Sequence, residues 1–406
     1  MTEILKKVEA HDRWRLEEVL NLQPSENVTS PAVRRILASD LGHRYTLPWK
    51  GGMWIHGASV ENAYGGTRYL DEIEAEGEAL AREVFHARFA SLKPLSGHVA
   101  GMLLLLSACS KGDKVLVIDA KHGGYDGYMP EYLPKLLDLH LQVDFLPFDE
   151  SRWNLDYAAA ADKIIAWRPR LVLLGSSFLL FPFDLRHLRG PCNTARALLA
   201  YDGSHVLGLI AGGEFNRPLE EGADILIGST HKSFPGPQGG LFLTNWEDVW
   251  AKFKENLNWR VLDNAHWNRI GGVAQTLLEM RHFGPAYAKA VVENARALAA
   301  ALDRESFPVR FRKFGFTRSH QIHLDQSRLR EDGGLTPNEF SVRCGRNNLI
   351  VDAVARLGTA EVTRMGATVK DMEETASLIA RAAKGDDVRA EVAAVRSRLR
   401  LTYVFE

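Results

Sequence analysis

Cysteine is scarce. The 406 residues hold three, Cys109, Cys192 and Cys344, far apart and without metal-ligand spacing. No metal site is predicted, and the thiols read as small core residues of a protein from a reducing compartment. Charge of one sign is also lacking: 50 Lys and Arg stand against 51 Asp and Glu, a formal net charge of -1. This balance argues against nucleic acid or an anionic membrane as the main partner. Long apolar runs are missing too. The longest, near Met102 to Leu106, falls far short of the ~20 residues that cross a bilayer. The N-terminus, Met1-Thr2-Glu3-Ile4-Leu5-Lys6-Lys7, lacks a signal-peptide pattern. Repeats and low-complexity segments are absent. The expectation is a soluble cytoplasmic protein, 46% hydrophobic and able to bury a substantial core.

What is present alternates. Short apolar runs at Ala90 to Leu92, Lys114 to Ile118, Leu171 to Leu174, Leu198 to Tyr201, Ile225 to Ile227 and Leu241 to Thr244 are separated by helical patterns, one across Tyr157 to Trp167. Such alternation predicts an α/β fold with a mostly parallel, doubly wound sheet, whose ligand sits at the carboxyl ends of the strands. An N-terminal arm is expected over 1–30, a large domain over 31–285, and a smaller α/β domain over 286–406. A long helix from about 275 through Ala300 bridges them, and strands are expected near Val309 to Arg312 and Gln321 to Leu324. Residues 42–67, rich in Gly, Tyr, Trp and His, show little periodicity and read as a long loop.

The stretch that organises the chain is Ser229-Thr230-His231-Lys232-Ser233-Phe234-Pro235-Gly236-Pro237-Gln238-Gly239-Gly240. It holds a lysine in a tight turn between two apolar strands. A lysine so placed is paired or chemically used, and its amine suits attack on a carbonyl. Pyridoxal 5'-phosphate is the natural carbonyl partner. That cofactor also demands an anion site, a carboxylate at its ring nitrogen and a flat partner for its ring face. Ser96-Gly97-His98 opens a helix and supplies the anion site. Asp202 ends a strand, where a buried carboxylate needs a cationic partner such as a pyridinium. His205 lies three residues on, within reach of the cofactor's phenolic oxygen or a substrate carboxylate. Tyr125, after His122-Gly123-Gly124, can stack on the ring. Arg356 can form a bidentate pair with an amino-acid carboxylate. Each has a plainer reading taken alone: a solvated turn, a helix cap, a core ring or a surface ion pair.

Taken in order, these segments resemble serine hydroxymethyltransferase, a fold-type I pyridoxal-phosphate family. The resemblance rests on Pro24-Ser25-Glu26-Asn27-Val28-Thr29-Ser30-Pro31, Tyr64-Gly65-Gly66-Thr67-Arg68-Tyr69-Leu70-Asp71, Pro94-Leu95-Ser96-Gly97-His98, His122-Gly123-Gly124, Asp202-Gly203-Ser204-His205, Ser229-Thr230-His231-Lys232 with Gly236-Pro237-Gln238-Gly239-Gly240, and Ala355-Arg356-Leu357-Gly358-Thr359. It covers about 20 to 365. It implies a seven-stranded sheet and a catalytic set of Lys232, Asp202, His205, Glu26 and Tyr64. Lys232 would carry the cofactor and Asp202 would pair with its ring nitrogen. Ser96, Gly97 and His231 would bind the phosphate, Ser177 and His205 would lie near the cofactor oxygen, and His98, Tyr125 and Ser229 would complete the cofactor site. Ser25 and Arg356 would take the substrate carboxylate, and Glu26 would sit by the substrate hydroxyl. Tyr45 and Tyr64 would reach the partner's site in a homodimer.

The chain departs from the family where tetrahydrofolate would bind. A carboxylate two residues after the first tyrosine is replaced by Leu47, with Glu61 as the candidate substitute. The ring-stacking histidine is Tyr125. The glycine-rich loop that would reach the phosphate across the dimer is replaced near Leu262-Asp263-Asn264-Ala265-His266-Trp267, and the segment before Arg356 is short. The expected activity is making or breaking the Cα–Cβ bond of a β-hydroxy-α-amino acid, by hydroxymethyl transfer or aldol cleavage. The alternatives are a folate-independent threonine-type aldolase or transaldolase, an aminotransferase using the same lysine and aspartate, and a catalytically silent relative.

Overall fold

The structure is a computed structural model that describes residues 1–55 and 57–405. The chain divides into two compact units.

The larger unit comprises residues 29–178 and 183–282. Its centre is a seven-stranded sheet built from β1 (Phe89–Ser91), β2 (Lys114–Val117), β3 (Gln142–Phe145), β4 (Leu171–Gly175), β5 (Leu198–Asp202), β6 (Ile225–Ser229) and β7 (Gly240–Thr244), in the order β1-β7-β6-β5-β4-β2-β3. Strands β3, β2, β4, β5 and β6 pair in parallel, and β7 runs antiparallel to both β6 and β1. Every residue of β4, β6 and β7 is buried. A strand buried on both faces has no polar side to alternate with, so it appears in the sequence as an unbroken apolar run. Helix starts follow ordinary capping chemistry. Ser96 accepts from Val99 N ahead of α1 (Gly97–Ala108), Asp156 from Ala159 N ahead of α2 (Tyr157–Trp167), and Asp184 from His187 N ahead of α3 (Leu185–Ala195).

Two expectations change. Part of the 42–67 stretch forms an antiparallel hairpin, Pro48–Ile55 with Ala58–Asn62. The second strand is largely exposed, so no buried face imprints an apolar period on it. Of the Trp49 to Asn62 insert, His56 lies outside the described residues. The strand expected at Val309 to Arg312 shrinks to a single bridge, Val309 with Leu324. Phe311 adopts a left-handed φ of 63° and leads into a 3-10 turn, Arg312–Phe314, which ends any extended run.

The smaller unit comprises residues 1–28, 179–182 and 283–406. The long helix α4 (Trp267–Arg304) contributes its residues to His282 to the larger unit and those from Phe283 to the smaller one. The smaller unit's core gathers Leu20 and Leu22 from the N-terminal segment with Leu298, Phe340, Leu357, Ile379 and Val392. Residues 20–21 pair in parallel with Leu349–Ile350, and Gln321–His323 pairs with Arg356–Gly358. Among the described residues no helix is long and apolar enough to cross a membrane.

Candidate active site

The carboxyl ends of β4, β5 and β6 and the start of α1 surround one cleft in the larger unit. Lys232, three residues past β6, lines it with Asp202, Ser204 and His205 from the end of β5. Ser177 and Ser176 follow β4, and Gly97, His98, Tyr125 and Ser229 complete the wall.

Local turns set these positions. The His122-Gly123-Gly124 turn docks on the end of β4: Ser177 N and Ser176 Oγ donate to Gly123 O at 2.7 and 2.9 Å, and Tyr125 N donates to Gly175 O at 3.1 Å. Tyr125 is thereby held over the cleft, its hydroxyl 2.7 Å from His98 Nδ1. Burial is the main cause that raises the Tyr125 phenol above its ordinary value, reinforced by Asp202.

Asp202 is buried, and both of its oxygens accept hydrogen bonds. Its Oδ1 accepts from Ser204 N at 3.0 Å and Ser204 Oγ at 2.5 Å, and its Oδ2 accepts from Tyr128 Oη at 2.6 Å. Three neutral donors, not a cation, compensate the buried carboxylate within this unit. Tyr128 is fully buried. Burial above all, then Asp202 nearby, holds its phenol well above the usual value, so it stays a donor. Neither Tyr128 nor Ser204 was expected from the sequence. Ser204 carries a local signal, since a serine two residues after Asp202 can close onto it. Tyr128 carries none.

The cleft reaches the start of α1, where Gly97, His98 and Ser229 line it. Here a glycine is required: a Cβ on Gly97 would come within 2.2 Å of Ser229 Oγ and 3.0 Å of Ser204 Oγ. The gap a side chain would fill is bounded by the hydroxyls of Ser229 and Ser204 and lies at the first turn of α1, where the helix dipole favours an anion. Ser96 engages its hydroxyl oxygen as the cap of α1, and neither Ser96 nor His231 lines the cleft. His231 is half-buried, its Nδ1 has no hydrogen bond among the described residues, and burial first, then Lys232, lowers its imidazole to about 4. A lysine, a buried carboxylate, a tyrosine and the hydroxyls beside the α1 start, all lining one cleft, are the groups that pyridoxal phosphate requires.

The remaining candidates fall in two places. Tyr45 and Tyr64, in the larger unit, are 47% and 39% exposed with ring centroids 5.1 Å apart. Leu47 beside them is 5% exposed. In the smaller unit, Gly358 N donates to Leu22 O at 2.7 Å, and His320 Nε2 lies 3.0 Å from Pro24 O, so the Ser25-Glu26 and Arg356 segments run side by side. Asp352 Oδ2 accepts from Arg356 Nε at 2.7 Å and orients its guanidinium. Glu26 Oε2 accepts from Asn21 Nδ2 at 2.9 Å and from Arg15 Nη2 at 2.5 Å; the same Asn21 amide donates to half-buried Glu361 at 2.7 Å. Asn21, Arg15 and Asp352 are further residues that sequence reasoning did not single out.

Comparison with known proteins identifies the family. Residues 1–379 match the family model described as serine hydroxymethyltransferase. Curated relatives named serine hydroxymethyltransferase include those of Korarchaeum cryptofilum, 36% identical over 98% of this chain and 95% of the relative, and Methanopyrus kandleri, 37% identical over 97% and 92%. Among solved structures, L-threonine transaldolase from Pseudomonas fluorescens, described in its internal aldimine state, aligns with a TM-score of 0.86 and 25% identity over 99% of this chain and 93% of that one. The chain therefore belongs to the serine hydroxymethyltransferase family and is a pyridoxal-phosphate-dependent enzyme that makes or breaks the Cα–Cβ bond of a β-hydroxy-α-amino acid.

Proposed function

We propose that this enzyme cleaves and rebuilds its β-hydroxy-α-amino acid without a requirement for tetrahydrofolate. The observation that carries the reading is Leu47. It is buried at the place where the family resemblance calls for a carboxylate, and its N–H donates to Asn62 Oδ1 at 3.1 Å. An apolar side chain cannot relay a proton between a folate nitrogen and a one-carbon unit. Asp71 is committed nearby, accepting from Thr46 at 2.6 Å and Thr67 at 2.7 Å. Glu61, the candidate substitute, is exposed on the hairpin. The likeness to a threonine transaldolase supports an aldehyde as the exchanged fragment.

In this reading Lys232 would hold the cofactor through its aldehyde. Asp202, fixed by Ser204 and Tyr128, would pair with the ring nitrogen. Gly97, Ser229 and the α1 N-terminus would hold the phosphate, with Ser96 setting the helix start. Tyr125, Ser177 and His205, which line the cleft, would serve the ring and its oxygen. Arg356, aimed by Asp352, and Ser25 take the substrate carboxylate. Glu26 accepts the β-hydroxyl proton at Oε1, the oxygen that neither Arg15 nor Asn21 occupies. When bound, pyridoxal phosphate supplies an aldehyde for the substrate amine and a ring that accepts the electron pair released from the Cα–Cβ bond. We place the enzyme in the cytoplasm as a homodimer in which Tyr45 and Tyr64 serve the partner's site.

The test is aldehyde release from serine, threonine, α-methylserine and phenylserine, each with and without tetrahydrofolate. Cleavage should proceed without folate, which should add little. A saturable folate requirement with serine as the best substrate would reject this reading and make Glu61 the first residue to mutate.

A further inference from the structure

Arg269 is a buried cation that none of the roles above uses. It lies near the start of α4 and is 6% exposed. Its Nη2 donates to the carbonyls of Leu92 at 2.7 Å and Lys93 at 3.0 Å. Its Nε and Nη1 have no hydrogen-bond partner among the described residues. Glu74, an acid beside the same segment, is taken by Lys93 at 2.7 Å. Burial alone lowers the Arg269 guanidinium, to about 10, so it remains charged at neutral pH. A buried charge without a counter-ion is costly unless an anion arrives to balance it.

The surroundings name the anion. The two carbonyls that hold Nη2 belong to the segment leading from β1 into Ser96 and α1. A Cβ on Gly239 would come within 2.6 Å of Arg269 Nη1, and a Cβ on the next residue, Gly240, would meet Ser96 O at 2.3 Å and Gly97 N at 3.1 Å. Gly239, just before β7, thus meets the guanidinium, and Gly240, the first residue of β7, meets the residues that open α1. The cradle itself offers uncharged donors: Gly97 and Ser229 line it, and His231, two residues after Ser229, is neutral at pH 7 because burial and Lys232 lower it to about 4. The Lys232 amine is committed to the cofactor's aldehyde. A phosphate dianion in the cradle would meet dipoles and hydroxyls, with the Arg269 guanidinium against Gly239, the residue before Gly240.

We propose that Arg269 is the positioning residue of the phosphate cradle: it pins the Leu92–Lys93 segment ahead of α1 and places a fixed positive charge behind Gly97, which the cofactor's phosphate balances. The inference rests on the pyridoxal-phosphate reading of the cleft. Its consequence is selectivity for the phosphorylated cofactor over pyridoxal, the same ring without the phosphate.

The experiment measures equilibrium binding of pyridoxal phosphate and of pyridoxal to the full chain stripped of cofactor, for the wild type, Arg269→Met and Arg269→Lys. Arg269→Met should lose about tenfold or more in affinity for the phosphorylated ring and less than about threefold for pyridoxal, a collapse of the ratio expected from removing a charge in a low-dielectric site. Arg269→Lys keeps the charge and should keep most of the ratio. Equal losses for both ligands, or an unchanged ratio in Arg269→Met, would overturn the proposal and leave Arg269 as a loop clamp. If Arg269→Met does not fold, Arg269→Lys decides alone: a ratio within about threefold of wild type supports the charge role, and a collapsed ratio overturns it. A wild type that binds neither ligand would instead remove the cofactor reading itself.

Discussion

Tyr128 donates to Asp202 across 2.6 Å, and two glycines from other elements make room for it. A Cβ on Gly101 in α1 would meet the Tyr128 hydroxyl at 2.9 Å, and one on Gly175 at the end of β4 would meet its ring at 2.6 Å. Tyr128→Phe removes one of the three donors on Asp202 and strands its Oδ2. Cofactor retention should fall a few-fold and kcat by about tenfold, since a buried hydrogen bond to a charged group contributes about 1.5–3 kcal/mol. Asp202→Asn should cost far more turnover while keeping much of the cofactor. The check is cofactor titration beside steady-state kinetics. Unchanged kcat in Tyr128→Phe would make the contact a packing detail.

Gly97 is the position where a single methyl should close the cradle. A Cβ there would stand 2.2 Å from Ser229 Oγ, so either the α1 start or β6 must shift to admit it. Gly97→Ala should fold, because helix N-terminal positions tolerate alanine, yet lose at least about tenfold in cofactor affinity. Absorbance of the bound cofactor during titration measures this. Normal affinity would move the phosphate elsewhere.

Arg356 and Asp352 test the carboxylate clamp. Asp352 Oδ1 also accepts from Arg356 N at 2.9 Å, so one acid fixes both the backbone and the guanidinium of the arginine. Arg356→Lys should raise KM for the amino acid by about tenfold or more, because a point charge does not reproduce a planar fork. Asp352→Asn should raise KM less and leave pyridoxal-phosphate affinity unchanged. Equal effects on cofactor and substrate would contradict the assignment.

Stability should depend on pH through Glu78. Burial first, then the neighbouring Glu74, raises its carboxyl to about 8, with Lys93 and Arg82 pulling the other way. A folded-state value above the unfolded one means the folded chain holds the extra proton. The associated stability is complete below about 4.5 and is lost as pH rises through 8. Glu78→Gln should raise Tm by a few degrees at about pH 8.5 and flatten the fall of Tm between about pH 5 and 8. Thermal unfolding across that range, with no gain at the alkaline end, would show that the group is solvated.

Much of this was legible in the sequence, for a physical reason. The fully buried strands β4 and β6, the Ser96 cap and the lysine turn after β6 are written in consecutive residues, so pattern alone finds them. Contacts that join distant stretches are not. Nothing near Tyr128 indicates Asp202, nothing near Asn21 indicates Glu361, and Arg269 reads as one more helical arginine until its burial is known. The hairpin at 48–62 escaped because an exposed strand leaves no apolar period. The strand expected at Val309 failed because the left-handed turn at Phe311 falls on a phenylalanine, which gives no warning.

Strand β1 pairs with β7, Ser91 lying opposite Phe242. The first strand of the sheet in the chain therefore finds its neighbour only after the last has emerged, and with it Ser96 and Gly97 meet Ser229 and Gly240. During synthesis the half-built sheet must wait with an open edge, since this long-range pairing closes late and slowly. A nascent chain that stops short of β7 has no closed cradle and should gain nothing from added cofactor. On the proposed placement of its phosphate, pyridoxal phosphate would act on folding at its end, as a latch on a sheet already complete and not as a nucleus for it.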